Sequence, residues 1–285
     1  MTAERIEQRF AERAAAGRRA LVPYITAGDP TAGTTVPLMH ELVAAGADLL
    51  EVGIPFSDPM ADGPVIQRAH ERAQAGGTGL RRVLEMVAEF RRQDTATPVV
   101  LMGYLNPVEA MGYAAFAEAA TAAGVDGVLT VDLPPEEAED DALPAFHAAG
   151  LAPIFLVSPT TTPARMETVC RQGRGFIYYV AIKGVTGGAG PDLGGLGERV
   201  ASVRAATALP VGVGFGIKDA ETAAAVGQVA DAVVVGSALV ARMEALVNDP
   251  ASIPAAVAGE ITAMRAALDG LENPAAPDTN QEASK

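Results

Sequence analysis

Eight short apolar runs, at 20–26, 48–52, 98–102, 127–131, 152–157, 175–180, 210–213 and 232–235, alternate with alanine-rich helical text. No other feature constrains the fold as strongly. Each run is predominantly apolar, as expected of a parallel strand covered on both faces. The segments between them, such as 34–45, 80–92, 113–123, 136–149 and 220–227, carry Ala, Glu, Arg and Leu at amphipathic spacing. Eight β-then-α units predict a single (β/α)8 TIM barrel with extra helices. A doubly wound open sheet is the alternative. It ranks second because no GxGxxG follows the first run.

The predicted barrel domain spans 1–270, and the polar, Pro-containing end at 271–285 predicts a disordered tail. Gly46-Ala47-Asp48, Gly124-Val125-Asp126 and Val229-Ala230-Asp231 each place an aspartate where an apolar run begins, as repeated βα units would. Two spacings are long. Runs two and three start 50 residues apart, and runs six and seven enclose the Gly-rich stretch 184–197. Chemistry in a barrel sits on the loops after its strands, so these long connections are where function is expected.

Charge removes several classes. Lys and Arg number 21 against 35 Asp and Glu, a net charge of −14. Nucleic acid and anionic membranes need clustered cations, and lysine occurs only at 183, 218 and 285. No apolar run approaches the ~20 residues that span a bilayer, and the N-terminal text has no secretory h-region. The single cysteine, Cys170, excludes an internal disulfide framework. A cytoplasmic protein is expected. His40, His70 and His147 lack ligand spacing, so no metal site is expected.

Three groups of residues can carry chemistry. Glu51 lies inside an apolar run, Leu49-Leu50-Glu51-Val52-Gly53. Alternation puts it on the face opposite Leu50 and Val52, where burial in a barrel would raise its pKa and suit it to general acid–base work. The bland alternative is a buried Glu paired with a neighbouring hydroxyl or Arg. Asp58 and Asp62 follow in a Pro- and Gly-rich loop. Asp58 reads as turn chemistry, whereas Asp62 can fold back over the barrel mouth and share proton work with Glu51. Gly184–Gly188, Gly214-Phe215-Gly216 and Gly236-Ser237 follow the last three runs. Their backbone N–H groups can hold a phosphate even in an acidic protein; tight turns are the alternative. Lys183 is the only lysine placed where a Schiff base could form.

Taken together, LEVGIPFSDPMADGP at 50–64, LVPYITAGDP near the N-terminus, LMGYLNPV at 101–108, TVDLPPEE at 130–137, KGVTGG at 183–188, VGFGI at 213–217 and VVGSALV at 234–240 resemble the tryptophan synthase α subunit family. The resemblance covers about residues 1–270. It implies a lyase that splits indole-3-glycerol phosphate into indole and glyceraldehyde 3-phosphate by a retro-aldol cleavage. It implies Glu51 as the general acid–base and Asp62 as the carboxylate at the indole N–H. Tyr178 and Thr186 would position substrate and Asp62. Tyr24, Leu101 and Leu129 would line the indole pocket. Gly187, Phe215, Gly216, Gly236 and Ser237 would bind phosphate. It further implies an α2β2 assembly with a β subunit that carries the pyridoxal phosphate, with Asp58, Pro59, Asn106 and Pro107 at the interface and no cofactor on this chain. The chain departs from the family pattern at Ala181 and Ile182, beside the expected lid.

Overall fold

The computed structural model describes residues 3–181, 193–214 and 216–271. Its strands are β1 (Ala20–Thr26), β2 (Leu50–Gly53), β3 (Val99–Gly103), β4 (Gly127–Thr130), β5 (Ala152–Ile154), β6 (Leu156–Val157), β7 (Ile177–Val180), β8 (Val211–Gly214) and β9 (Ala232–Val235). Its helices are α1 (Ala3–Ala15), α2 (Ala32–Ala44), α3 (Pro64–Ala75), α4 (Leu80–Phe90), α5 (Leu105–Met111), α6 (Tyr113–Ala123), α7 (Pro135–Ala138), α8 (Ala142–Ala149), α9 (Pro163–Gln172), α10 (Leu193–Ala206), α11 (Ala220–Gly227), α12 (Ser237–Glu244) and α13 (Ile253–Asp269).

All strands lie in one sheet, ordered β5-β4-β3-β2-β1-β9-β8-β7-β6, and every strand pair is parallel. The sheet's two ends, β5 and β6, are consecutive pieces of one apolar run separated by Phe155. The sheet therefore comes round on itself as the predicted barrel, with the fifth run split between two partners. Alternation continues through the split: Ile154 and Leu156 belong to the inner cluster, while Phe155 packs in the outer one.

The alternation sorts the core into two layers. Leu21, Leu50, Val99, Val128, Ile177, Val211 and Val233 face outward onto the helices. Val22, Leu49, Val100, Leu129, Phe176 and Val234 fill the lumen. Helix α1 closes the floor: Ile6 is fully buried, and Phe10 packs on Phe176 with ring centroids 5.6 Å apart. The three repeated aspartates also act at that floor. Asp48 accepts from Leu21 N–H at 2.9 Å, Asp126 from Val99 N–H at 2.8 Å and Asp231 from Val211 N–H at 2.8 Å. Each aspartate thus satisfies a backbone donor at the start of the strand preceding it. Arg13 on Asp48 at 2.7 Å and Arg5 on Asp126 at 2.6 Å tie α1 to two of them. With the floor packed, the open end is the one where the strands finish.

The long connection between β2 and β3 contains two helices, α3 and α4, where a plain unit has one. The predicted helix at 136–149 is two pieces, α7 and α8. Pro144 falls in the first turn of α8, where proline is best tolerated, although α2 runs through Pro37. Asp141 stands at the N-cap of α8, where a negative charge suits the helix dipole. No described helix is long and apolar enough to cross a membrane.

Candidate active site

Glu51 points into the barrel from β2, in register with Tyr24 of β1 and Val100 of β3. Only 1% of it is exposed, and neither carboxylate oxygen has a hydrogen-bond partner among the described residues. The paired-Glu alternative therefore has no support there. Burial, together with the nearby Asp62 charge, pushes the Glu51 pKa up to about 8. At neutral pH the group is a proton donor held in an apolar wall.

Two tyrosines crowd the same level of the lumen. A Cβ on Gly53 would come within 2.3 Å of the Tyr24 hydroxyl, and one on Gly214 within 2.2 Å of the Tyr178 hydroxyl. Both positions require glycine because a phenol already occupies the space. Burial raises both phenols well above the ordinary tyrosine pKa, and Glu51 and Asp62 add to this at each.

Asp62 approaches from the loop after β2. Its Oδ2 accepts from the Tyr104 hydroxyl at 2.8 Å, and the same phenol oxygen accepts from Ala61 N–H at 3.0 Å. Phe56 stacks on Tyr104 with centroids 5.2 Å apart, and Gln67 Nε2 donates to the Asp62 carbonyl at 2.8 Å. Burial raises the Asp62 pKa, while the Tyr104 bond and the neighbouring His70 oppose the rise. The loop thus brings a second carboxylate to Glu51 in a more polar setting. Tyr104 and His70 had no role in the sequence reading. The only signal for them was the aromatic text just after the third run, and a histidine eight residues beyond Asp62.

Beyond β1, Gly216 follows β8 with φ +78° and no neighbour within 4 Å of a built Cβ among the described residues. Gly236 is the N-cap of α12, and Ser237 is that helix's first residue. A Cβ on Gly236 would stand 3.4 Å from Tyr24. The glycines leave the amides of this helix start open to an anion, next to Tyr24. Phe215, Thr186, Gly187 and Lys183 lie outside the described residues, as do 184–192 of the expected lid and the tail from 272 onward.

Leu129 belongs to the inner cluster. Leu101 does not. It packs in the outer cluster against the helices, because β3 alternates and Val100 takes the inward face. The inward residue beside it is Met102, which touches both the inner cluster and the patch around Tyr24. The same alternation that turns Glu51 inward on β2 turns Leu101 outward on β3. Among the described residues no group of three or more His, Cys, Asp or Glu could hold a metal ion.

The model of the family described as "Tryptophan synthase alpha chain" matches residues 10–268. The chain belongs to the tryptophan synthase alpha chain family. It is 65% identical over 267 residues to the tryptophan synthase alpha chain of Alkalilimnicola ehrlichii, covering 94% of this chain and 97% of that one. It is 59% identical to the alpha chain of Nitrosococcus oceani, covering 94% and 99%. The crystal structure of tryptophan synthase subunit alpha from Legionella pneumophila superposes with a TM-score of 0.87 at 46% identity, covering 94% and 99%. As a tryptophan synthase alpha chain, this protein is a lyase that cleaves indole-3-glycerol phosphate in tryptophan biosynthesis.

Proposed function

We propose that Glu51 and Asp62 divide the proton work of this cleavage while the Gly216 and Gly236-Ser237 backbone holds the substrate phosphate. The observation that carries the proposal is the contrast between the carboxylates. Glu51 has no hydrogen-bond partner among the described residues and a pKa of about 8; Asp62 is hydrogen-bonded by Tyr104 at 2.8 Å. Two carboxyl groups in such different settings suit acid and base roles at one pH. Protonated Glu51 delivers its proton to indole C3, giving an indolenine-like state. Asp62 accepts a hydrogen bond from the ring N–H and stabilises the positive charge there. The bond from C3 to the glycerol carbon then breaks and its electrons return to the ring. Glu51 carboxylate takes the glycerol hydroxyl proton as the aldehyde forms. One proton enters and one leaves, so indole and glyceraldehyde 3-phosphate form without redox change, and no cofactor on this chain is needed. Tyr24, Met102, Leu129 and Tyr178 flank the indole, with Thr186 contributing to position and Gly187 and Phe215 to phosphate binding.

The partner in this reading is the pyridoxal-phosphate β subunit, in an α2β2 assembly in the cytoplasm. Met60, 78% exposed, is the one large apolar side chain exposed among the described residues, and it adjoins Asp58 and Pro59. Asn106 and Pro107 lie in α5, just beyond Tyr104, whose hydroxyl binds the same loop. The residues 1–270 act as one barrel domain in this proposal, with 271–285 as a tail.

Indole release from indole-3-glycerol phosphate, by wild type and Glu51→Gln, with and without a β subunit, tests the proposal. The expected result is cleavage by wild type, faster with the partner, and none by the variant. Near-wild-type turnover by Glu51→Gln would overturn the assignment. Cleavage indifferent to the partner would overturn the α2β2 reading alone.

A further inference from the structure

His70 lies in α3 with 2% of its surface exposed. Its Nδ1 accepts a hydrogen bond from Phe56 N–H at 2.9 Å. A ring nitrogen that accepts carries no proton, so the neutral ring carries its proton on Nε2. That Nε2 lies 3.8 Å from Asp62 Oδ2 and 3.5 Å from the Tyr24 hydroxyl. One imidazole therefore ties the first residues of the Asp62 loop through Nδ1 and directs an N–H at the loop's far end through Nε2.

We propose that neutral His70, in the Nε2–H form, is a positioning residue for Asp62, and that protonating its Nδ1 releases the loop. A proton on Nδ1 would set two N–H groups against each other and break the Phe56 bond. This inference rests on the role proposed above for Asp62.

The groups around the ring set the direction of its pH response. Asp62 faces it from the loop and Tyr24 from β1, with Glu51 in register beyond Tyr24. Asp29, after β1, is held by Arg72 of α3 at 2.7 and 3.0 Å. Arg72 also reaches Glu244 of α12 at 2.8 Å, and Arg68 grips the same carboxylate at 2.6 and 2.7 Å. The carboxylate of Asp29 is thus largely spoken for, and that of Asp62 is shared with Tyr104. Burial lowers the His70 pKa, against the pull of Asp62 and Asp29. The ring is neutral at physiological pH and charges only in acid.

The test uses the full chain with its β subunit and three variants. In His70→Asn the side-chain oxygen can still accept from Phe56 N–H, but the group does not titrate and cannot reach Asp62. His70→Gln reaches toward Asp62 but loses the Phe56 acceptor. Asp62→Asn is the control. Both His70 variants are expected to lose roughly tenfold in kcat with KM little changed, as for a misplaced catalytic group. The acid limb of the wild-type kcat/KM profile, below about pH 6.5, is expected to lose one proton's dependence in His70→Asn. Imidazole nitrogen NMR of the wild type is expected to show the Nε2–H form. An Nδ1–H form, or unchanged kcat and acid limb in His70→Asn while Asp62→Asn is inactive, would overturn the inference. Full activity in Asp62→Asn would instead overturn the reading of Asp62, which separates the two failures.

Discussion

The Tyr104 hydroxyl stands 2.8 Å from Asp62 Oδ2 and accepts Ala61 N–H at 3.0 Å, so one phenol binds both the carboxylate and the backbone that carries it. Burial, and then the Asp62 bond, push the phenol's own pKa well above the ordinary tyrosine value. Tyr104→Phe keeps the Phe56 stack and removes both bonds. We expect kcat to fall roughly tenfold through a misplaced Asp62, at a stability cost of about 1 kcal/mol. Steady-state kinetics beside urea unfolding check this. Wild-type kcat in the variant would show that Tyr104 does not hold the working geometry.

Glu51 predicts a stability that depends on pH. Its folded pKa is about 8 against an ordinary value of 4.5. Between those values the unfolded chain releases a proton that the folded chain keeps, so stability falls as pH rises, by about 1.4 kcal/mol per unit. Glu51→Gln lacks this penalty. We expect the inactive variant to match wild type near pH 4.5 and to exceed it by on the order of a few kcal/mol above pH 8. Unfolding at three pH values measures it; a gap that does not change with pH would mean Glu51 ionises normally. Wild-type kcat/KM is expected to decline above about pH 8, as the acid form is lost.

At Gly216 the backbone has φ +78° and no described residue lies within 4 Å of a built Cβ, so a short side chain clears the described residues at some strain. Gly216→Asp would place a negative charge at the proposed phosphate cradle. We expect KM for indole-3-glycerol phosphate to rise roughly tenfold or more. An unchanged KM would place the phosphate elsewhere.

Leu101 and Met102 are adjacent and should fail differently. Leu101→Ala empties a site in the outer core and is expected to cost about 2–5 kcal/mol with KM nearly unchanged. Met102→Ala opens the lumen and is expected to raise KM with a smaller loss of stability. Unfolding and kinetics on both variants decide between the faces; a KM effect from Leu101→Ala alone would reverse the assignment.

Much of this was readable before any coordinates. Runs 20–26 and 232–235 coincide with β1 and β9, and segments 113–123 and 220–227 with α6 and α11. Apolar periodicity is a local property, and strong local periodicity survives folding. The aspartates at 48, 126 and 231 were also legible as a repeat, though not their shared hydrogen bond to the preceding strand, since that bond spans 20–27 residues. Pro144 was visible, but the α7–α8 break was missed because the apolar pattern on either side continues in phase.

The sequence by itself determined the barrel, the burial of Glu51 and the glycine-bearing loops after the last strands. Each follows from alternation, from a charge inside an apolar run, or from residues without a Cβ. Only the tertiary structure decided that Tyr104, His70 and Asp62 meet, that Met102 rather than Leu101 faces the lumen, and that Glu51 has no partner among the described residues. Tyr104 and Asp62 are 42 residues apart and Phe56 and His70 are 14 apart. Their contacts depend on how β2, β3 and α3 are placed around a closed sheet, and spacing along the chain carries no information about distance across it.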